Sequence, residues 1–295
     1  MTKAIVTGGC GFIGSNLVDR LVAMGTDVYV IDSDLSKGHV NKRAKYFISD
    51  VSVKDNGYTK LFKGVDYVFH LAAEVRIPDC INNPVLAMQT NVIGTCNMLE
   101  ESKKANAKRF LFSSTAAVYG LANQAPVKET MTPDCLNPYS VSKFCGEQLC
   151  KMYSELYGLQ TVVFRYFNVY GKRQPSSGQY APVIGVFNKQ VASNSPITVV
   201  GDGEQTRDYV NVLDVVNANI GFARQTGKFH GDVFNIGTGK ATSVSKLAKI
   251  IGGVDYETRN LPPRKGEVKH SVADIARAKS FGWNPQIKLE EWLNE

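Results

Sequence analysis

The sequence predicts an α/β fold, with a doubly wound parallel sheet followed by a smaller α/β domain. Short apolar runs alternate with longer amphipathic segments between residues 3 and 166, which is typical of parallel strands joined by helices. The composition changes at residues 172–180, which are rich in Ser, Gly and Gln. We therefore expect one domain at residues 1–171 and a second at residues 172–295, with some segments returning to the first.

The composition is that of an ordinary globular chain. Of the 295 residues, 43% are hydrophobic and 21% are charged, which argues against disorder. There is no run of about 18 apolar residues and no leader pattern at the N-terminus. We therefore expect a cytoplasmic protein that neither spans a membrane nor is exported.

Cysteine spacing and charge exclude further classes. The six cysteines show no CxxC pattern and no accompanying histidines, so we expect reduced thiols and no metal site. The net charge of +7 comes from dispersed Lys and Arg without a long basic run. We therefore expect no nucleic-acid partner, and a ligand with two phosphates accounts for the charge equally well.

A glycine-rich turn follows the first predicted strand, Lys3–Thr7. Its glycines, Gly8, Gly11 and Gly14, have GxxGxxG spacing and precede an amphipathic segment from Ser15 to Met24. Such a turn brings backbone N–H groups and a helix N-terminus close to a pyrophosphate. The pattern predicts a Rossmann-type dinucleotide site.

An acid ends the second predicted strand, Asp27–Ile31. Asp32 stands where a carboxylate accepts hydrogen bonds from the adenosine ribose and repels a 2′-phosphate, which favours NAD over NADP. The alternative is that Asp32 merely starts a turn. A third strand, Lys45–Ile48, is followed by Asp50 and Val51, which we expect at the edge of the adenine.

The βα alternation then continues to Tyr166. Strand Val65–His70 leads into Leu71, Ala72 and Ala73, whose small side chains allow close approach to a cofactor. His70 itself fits a structural role better than a catalytic one. The remaining predicted elements are helix Val85–Ala105, strand Arg109–Phe112 with Ser113, Ser114 and Thr115 after it, helix Leu136–Tyr157 and strand Thr161–Tyr166.

The helix Leu136–Tyr157 carries a possible acid/base pair. Tyr139 and Lys143 are four residues apart, so they share one helix face. A tyrosine has a pKa of about 10, and a neighbouring cation favours its charged form. The pair is therefore a candidate to exchange a proton with a sugar or alcohol hydroxyl.

Seven motifs in this order resemble the extended short-chain dehydrogenase/reductase family: GGCGFIG, HLAA, SSTAAVYG, PYSVSK, RYFNVYG, GDGEQTRDYVNVLDV and RKGEV. More narrowly, they resemble nucleotide-sugar 4-epimerases over nearly the whole chain. The resemblance implies bound NAD and a UDP-sugar substrate.

The resemblance also implies roles for individual residues. Catalysis falls to Thr115, Tyr139 and Lys143. Substrate binding falls to Thr115, Asn168, Arg207, Arg264, Glu267 and Ser271. Cofactor binding falls to Gly8, Gly11, Phe12, Ile13, Gly14, Asp32, Asp50, Val51, Leu71, Ala72, Ala73, Asn91, Ser113, Tyr139, Lys143 and Tyr166.

The stretch after Thr115 narrows the implied reaction. Related dehydratases carry an Asp-Glu pair there and related decarboxylases a glutamate, whereas this chain has Ala116 and Ala117. The resemblance therefore implies reversible oxidation at C4 alone. Ser271 stands where a small residue admits an N-acetyl group, which favours UDP-GlcNAc and UDP-GalNAc, with UDP-glucose and UDP-galactose also accepted. Arg76 either shapes the pocket or is solvated.

Three other functions remain open: an epimerase restricted to UDP-glucose, a nucleotide-sugar 4-keto reductase and a non-catalytic NAD-binding protein. Apolar residues on the two long helices also suggest a homodimer that pairs them as a four-helix bundle, as in relatives. Burial of these side chains within one subunit is the alternative. They are Met88, Val92, Met98, Leu149, Met152 and Leu156.

Overall fold

The computed structural model describes residues 1–35, 38–54, 56–175, 182–263 and 268–294. These residues form two compact units. The first unit contains residues 1–118, 135–166 and 215–234, and the second unit contains residues 119–134, 167–214 and 235–295.

The strands, in chain order, are β1 Lys3–Thr7, β2 Asp27–Asp32, β3 Lys45–Ile48, β4 Tyr67–His70, β5 Arg109–Thr115, β6 Thr161–Tyr166, β7 Asn168–Tyr170, β8 Ile197–Val200, β9 Thr206–Arg207, β10 Tyr209–Asn211, β11 His230–Ile236, β12 Thr242–Ser243, β13 Thr258–Leu261 and β14 His270–Ser271. The α-helices are α1 Phe12–Ala23, α2 Ile77–Asn82, α3 Pro84–Met88, α4 Gly94–Lys104, α5 Pro138–Tyr157, α6 Val183–Ala192, α7 Val212–Arg224, α8 Val244–Gly252, α9 Ala276–Ser280 and α10 Leu289–Leu293.

A seven-stranded sheet forms the frame of the molecule. Its strand order is β11-β6-β5-β4-β1-β2-β3, and the ladders from β6 to β3 are parallel. The chain reverses its direction of progress across the sheet between β1 and β4, and ligands bind at such a switch point, beyond the carboxyl ends of the strands. The predicted doubly wound α/β fold is confirmed.

Strand ends bring sequence-distant residues to one edge of this sheet. Thr7 is paired with Ile31 and with His70, and Thr115 is paired with Tyr166. The glycine turn, the tip of β4 and the end of β5 therefore follow neighbouring strands at the same edge.

The start of α5 is determined by local chemistry. The Asn137 side chain accepts a hydrogen bond from the Ser140 N–H, and the Asn137 N–H is bonded to the Ser140 hydroxyl. Pro138 occupies the first turn, where no N–H is needed, and Gly158 ends the helix in a left-handed conformation, with φ of 70°. The predicted start at Leu136 is therefore wrong by two residues, and the helix begins at Pro138, just before Tyr139.

The predicted helix Val85–Ala105 is not a uniform α-helix. A π-turn at Gln89–Ile93 separates α3 from α4, and the Gly94 N–H bonds to the carbonyl of Gln89, five residues back. Periodicity could not reveal this turn, because one inserted residue shifts the apolar face only locally. The insertion places Asn91 in the interior, with 1% of its surface exposed.

The helix faces divide between the core and the surface. Met98 is fully buried in the core of the first unit, so its prediction as a dimer contact is wrong. Leu149 and Met152 pack partly against the same core. Val85 and Leu156 remain exposed, at 65% and 68%.

The second unit has its own core, and a buried carboxylate, Asp208, joins two of its segments. Tyr170, Phe187 and Leu247 belong to that core. The Asp208 carboxylate accepts hydrogen bonds from the backbone N–H groups of Thr238, Gly239 and Ala273 and from the Thr238 hydroxyl. It thereby joins the loop after β11 to the segment after β14.

The described residues contain neither a membrane-spanning helix nor a metal-binding cluster. No helix there has the length and apolar character to cross a membrane, and no cluster of three His, Cys, Asp or Glu could hold a metal ion. All six cysteines are free thiols.

Candidate active site

Three side chains that the sequence assigned to catalysis lie together in the first unit. α5 begins at Pro138, so Tyr139 stands in its first turn and Lys143 one turn later. The Thr115 hydroxyl, at the end of β5, lies near enough to the Tyr139 phenol to lower the pKa of that phenol. The Lys143 Nζ donates to the carbonyl of Ser113 at 2.9 Å. One strand end and one helix start therefore hold all three groups.

The Lys143 ammonium is held in the interior, with only 3% of the residue exposed. Burial lowers its pKa from 10.5 to about 8, because the charge is poorly solvated there. The nitrogen lies 5.1 Å from the centre of the Phe112 ring, which partly offsets this cost. Lys143 therefore stays cationic at neutral pH while destabilising the folded state.

The Tyr139 phenol is protonated at neutral pH in the protein alone. Burial raises its pKa to about 12, and the nearby Thr115 hydroxyl opposes this only in part. The prediction that Lys143 lowers the phenol pKa is therefore wrong for the protein alone. The physical reason is that burial of the phenol has the largest effect on its pKa, while the Lys143 ammonium donates to the Ser113 carbonyl.

The glycine turn has the backbone geometry of a pyrophosphate cradle. Gly8 has φ of +67°, and a Cβ there would lie 2.7 Å from the backbone nitrogen of Ala72. A Cβ on Gly14 would lie 2.2 Å from the Gly8 carbonyl oxygen. No side chain caps the N-terminus of α1, so its first N–H groups can donate to an anion. The residues present fit a dinucleotide.

The Asp32 carboxylate is held at the end of β2. It accepts hydrogen bonds from the Cys10 N–H at 2.9 Å and the Asp34 N–H at 3.2 Å. Asp32 therefore lies against the glycine turn, where a ribose diol would be met.

Two residues predicted at the adenine edge have different surroundings. Asp50 is exposed and its carboxylate accepts from the Ser52 N–H at 2.8 Å. Val51 is 4% exposed and belongs to the core of the first unit. The Gly94 Cα packs against Val51, because a Cβ there would lie 2.7 Å from a Val51 methyl. Cofactor contact by Asp50 and Val51 stays a prediction.

Leu71, Ala72 and Ala73 follow β4 and are half-buried. Because a Gly8 side chain would collide with the backbone at Ala72, this segment lies directly against the glycine turn. Phe12 and Ile13, also half-buried, open α1 beside it. Cofactor contact by these five residues stays a prediction.

Asn91 is engaged by the protein itself. Its Oδ1 accepts from the Glu74 N–H at 2.8 Å, and its Nδ2 donates to the Glu74 carbonyl at 3.0 Å and the Ser142 hydroxyl at 2.8 Å. Both amide hydrogens are therefore used, and a cofactor role for Asn91 stays a prediction.

Tyr166 and Ser113 lie together at the ends of β6 and β5. The Ser113 hydroxyl and the Asn219 Nδ2 donate to the Tyr166 phenol oxygen, at 3.2 Å and 2.7 Å. Burial raises the pKa of Tyr166 to about 12, so its phenol is neutral at physiological pH.

The predicted substrate residues of the second unit are described only in part. Arg207 and Ser271 are direct partners in the parallel ladder between β9 and β14. The Arg207 guanidinium donates to the carbonyls of Thr206 at 2.9 Å and Lys269 at 3.4 Å. Asn168, at the start of β7, is exposed. Arg264 and Glu267 lie outside the described residues.

The sequence did not predict a buried ion pair between Arg165 on β6 and Glu147 on α5. Arg165 and Glu147 are each 3% exposed, and the guanidinium donates to the carboxylate at 3.0 and 2.7 Å. The Ser114 hydroxyl donates to the same carboxylate. The available signal was spacing, because Glu147 lies one turn beyond Lys143 on α5.

The residues 4–237, which carry the glycine turn and all three catalytic candidates, match the profile of one protein family. The chain belongs to the NAD dependent epimerase/dehydratase family. The predictions of this family, of an isomerase within it and of NAD as its cofactor are thereby confirmed.

The chain is similar to known proteins over almost all of its length. It is 41% identical to a putative UDP-glucose 4-epimerase of Methanocaldococcus jannaschii, over 98% of this chain and 95% of that one. It is similar to the structure of a Thermotoga maritima UDP-glucose 4-epimerase with UDP-glucose, with 39% identity, a TM-score of 0.93 and coverage of 99% and 96%. It is also similar to the structure of a UDP-N-acetylglucosamine 4-epimerase from Methanobrevibacter ruminantium in complex with UDP-N-acetylmuramic acid. Here the TM-score is again 0.93, the identity is 35% and the coverage is 100% of this chain and 96% of that one.

The lowered pKa of Lys143 predicts a pH-dependent gain in stability when the charge is removed. The cost of the buried charge is fully present below pH about 8 and fades as the pH rises to the unfolded value of 10.5. In the cofactor-free protein, Lys143→Met should therefore raise the free energy of unfolding at pH 7 by about 1–3 kcal/mol. Urea unfolding at several pH values measures this.

The matched control is Lys151→Met, on the exposed face of the same helix, with 58% of its side chain exposed. It should show no such pH dependence. A Lys143→Met protein that is less stable than wild type at pH 7, or whose gain persists unchanged to about pH 10.5, contradicts the explanation.

Proposed function

We propose that this enzyme is a UDP-hexose 4-epimerase, which inverts C4 of the sugar through a transient 4-keto sugar. The observation that carries the proposal is the contact of Thr115 with Tyr139 at the start of α5, backed by the buried Lys143 cation. Ala116 and Ala117 directly follow Thr115, so neither offers an acid or base for elimination at C5. The named activities of the relatives support the same reaction.

The proton transfer is assigned to Tyr139. Its phenol exchanges the proton of the 4-hydroxyl, and Thr115 orients both the phenol and the sugar hydroxyl. The chemistry supplied by bound NAD is reversible removal of hydride from C4. The cofactor would be held by Gly8, Gly11, Gly14 and Asp32.

Because the phenol pKa is about 12 in the protein alone, Tyr139 needs added positive charge to act near neutral pH. Lys143 supplies part of that charge, and oxidised NAD, held by the residues named above, would add positive charge when bound.

Recognition of the nucleotide is assigned to the second unit. Arg207 and Arg264 would bind the diphosphate, because guanidinium groups match pairs of phosphate oxygens. Asn168 would contact the same diphosphate and Glu267 the uridine ribose. These assignments rest on the family resemblance.

The proposed substrates are UDP-GlcNAc and UDP-GalNAc, with UDP-glucose and UDP-galactose also accepted. Ser271 is small and half-buried on β14, beside Arg207, which leaves room for a bulky group at C2 of the sugar. Both kinds of sugar occur in the names of similar structures. An enzyme restricted to UDP-glucose is the alternative.

Two other functions predict different behaviour of the cofactor. A 4-keto reductase performs net redox and must exchange NAD freely, whereas an epimerase regenerates it at each turnover. Nucleotide absorbance that remains with the protein through gel filtration supports the epimerase. A non-catalytic NAD-binding protein has no chemical need for Thr115, Tyr139 and Lys143 together.

Tyr139→Phe should lower turnover by at least about 100-fold, because it removes the only proposed proton acceptor, while NAD remains bound. Steady-state rates with UDP-GlcNAc and UDP-glucose, with products resolved by chromatography, measure this. Tyr157→Phe, at the far end of α5, is the control and should keep its activity. Near-normal turnover by Tyr139→Phe would show that the mechanism is wrong.

Ser271→Tyr should lose activity on UDP-GlcNAc by about 10-fold or more relative to UDP-glucose, because the larger side chain occupies the space for the N-acetyl group. The ratio of kcat/KM for the two substrates is the measurement. Ser271→Ala should leave that ratio unchanged. Equal loss on both substrates in Ser271→Tyr contradicts the pocket argument.

We also propose that two copies associate through α3, the π-turn, α4 and α5. The lining of an apolar groove there includes Val85 and Met88 of α3, Val92 and Ile93 of the π-turn, and Cys145 of α5. Leu156 lies on α5 and is 68% exposed. The apolar face left open on the unit gives a second copy a hydrophobic contact. The cytoplasmic location stays a prediction from the sequence.

Val85→Glu should convert a dimer into a monomer, because it places a charge in the proposed apolar contact. Light scattering coupled to size-exclusion chromatography measures the mass. Val254→Glu is the control, because Val254 is 80% exposed in the second unit. A monomeric wild-type protein rules out this interface.

A further inference from the structure

His70 is a buried polar side chain that the proposed mechanism does not use. Its residue is 1% exposed at the end of β4. The ring packs against Phe110 and Phe112, with centroids at 5.7 and 6.0 Å. Both ring nitrogens are nevertheless hydrogen-bonded, Nδ1 with the Thr7 hydroxyl at 2.7 Å and Nε2 with the Thr95 hydroxyl at 3.0 Å.

The direction of these hydrogen bonds follows from the hydroxyl of Thr7. Its oxygen accepts from the backbone N–H groups of Leu71 and Ala72, each at 3.1 Å. With both lone pairs occupied, Thr7 donates its own proton to Nδ1 of His70. The neutral imidazole therefore carries its proton on Nε2 and donates it to Thr95.

The chain of donors continues to the π-turn. The Thr95 hydroxyl, which accepts from His70, donates to the backbone carbonyl of Asn91 at 2.6 Å. This bond holds the turn that carries the Asn91 side chain. The Asn91 Nδ2 in turn donates to the Ser142 hydroxyl at 2.8 Å.

The last link ends at the catalytic tyrosine. The Ser142 hydroxyl donates to the backbone carbonyl of Tyr139 at 2.8 Å. Ser142 is fully buried and stands between Tyr139 and Lys143 on α5. The series therefore runs from the tip of β4, beside the glycine turn, to the first turn of α5.

Charge supports one protonation state for this series. Burial, with a smaller effect of the Lys143 charge, lowers the pKa of His70 to about 3. A second proton on the ring would also leave Nδ1 facing the proton of the Thr7 hydroxyl. The ring is therefore neutral across physiological pH.

We propose that His70 is a positioning residue, which sets the placement of the Tyr139 phenol through Thr95, Asn91 and Ser142. The role rests on the proposed epimerase function. The imidazole moves no proton of the sugar, because its one N–H proton is donated to Thr95 and its Nδ1 accepts from Thr7. Its contribution is to hold the reacting phenol within the narrow range of positions from which proton transfer is fast.

The chain offers a matched pair of variants that separates positioning from stability. Thr95 and Thr161 are both fully buried, and both hydroxyls donate to a helix carbonyl, Thr95 to Asn91 at 2.6 Å and Thr161 to Cys150 at 2.8 Å. Thr161 thereby contacts α5 at Cys150, well beyond Tyr139. Thr95→Val and Thr161→Val therefore remove the same group, but only the Thr95 hydroxyl belongs to the series that leads to Tyr139.

Thr95→Val should lower kcat by about 10-fold with KM changed by less than about twofold, because the phenol is displaced but the nucleotide contacts are not. Thr161→Val should keep kcat within about twofold of wild type at a comparable loss of thermal stability. Equal kcat losses in the two variants would overturn the proposal, and so would an unchanged kcat in Thr95→Val.

His70 variants provide a graded test. His70→Phe keeps a flat ring between Phe110 and Phe112 but removes both hydrogen bonds, and should lower kcat by about 10- to 100-fold. His70→Gln retains a neutral donor for Thr95 and should recover part of that loss. A His70→Gln enzyme no better than His70→Phe would overturn the role of the donated proton.

A spectroscopic measurement tests the hydrogen-bond direction without turnover. In the cofactor-free protein, ¹⁵N NMR should show His70 as the Nε2–H tautomer, unchanged from about pH 5 to about pH 8. An Nδ1–H tautomer, or a second proton bound in this range, would overturn the proposal. Wild-type protein that fails to epimerise any UDP-hexose refutes the proposed function instead, and leaves the tautomer result intact.

Discussion

The catalytic geometry depends on how α5 is held against the end of β5. Two hydrogen bonds make this junction, from the Lys143 ammonium to the Ser113 carbonyl and from the Ser114 hydroxyl to Glu147. The last one leads to the buried pair with Arg165. Breaking such a pair from one side costs about 3–5 kcal/mol, because a charge is left buried alone. Loss of Glu147 on α5 or of Arg165 on β6 should therefore disturb α5 more than loss of a single neutral hydrogen bond, which contributes about 1 kcal/mol.

The same burial that rigidifies the site opposes its chemistry. Desolvation lowers the pKa of Lys143 and raises that of Tyr139, so both groups are pushed towards their neutral forms. Burial thus makes the charged forms of both groups unfavourable in the protein alone. In the proposed reaction, a further positive charge near Tyr139 would favour its phenolate.

Backbone requirements account for the cofactor side. Gly8 and Gly14 are needed because their neighbours leave no space for a Cβ, and Asp32 is held against the turn by the Cys10 N–H. The tip of β4 closes on the same turn through Thr7 and His70. The hydrogen-bond series proposed for His70 would make the cofactor cradle and the catalytic helix parts of one ordered network.

Sequence alone determined the fold class and the family, and it predicted the candidate residues of the site. The signals used were local: strand and helix periodicities, the glycine spacing, and the four-residue spacing of Tyr139 and Lys143. Such signals depend only on residues close together in the sequence, so they can be read without the tertiary structure. Tertiary structure decided what depends on packing across distant segments. It placed Met98 in the core, inserted the π-turn at Asn91, joined Glu147 to Arg165 and reversed the expected pKa shift of Tyr139. Each of these depends on solvation and on contacts between residues far apart in the chain. Residue spacing in the sequence does not show such contacts.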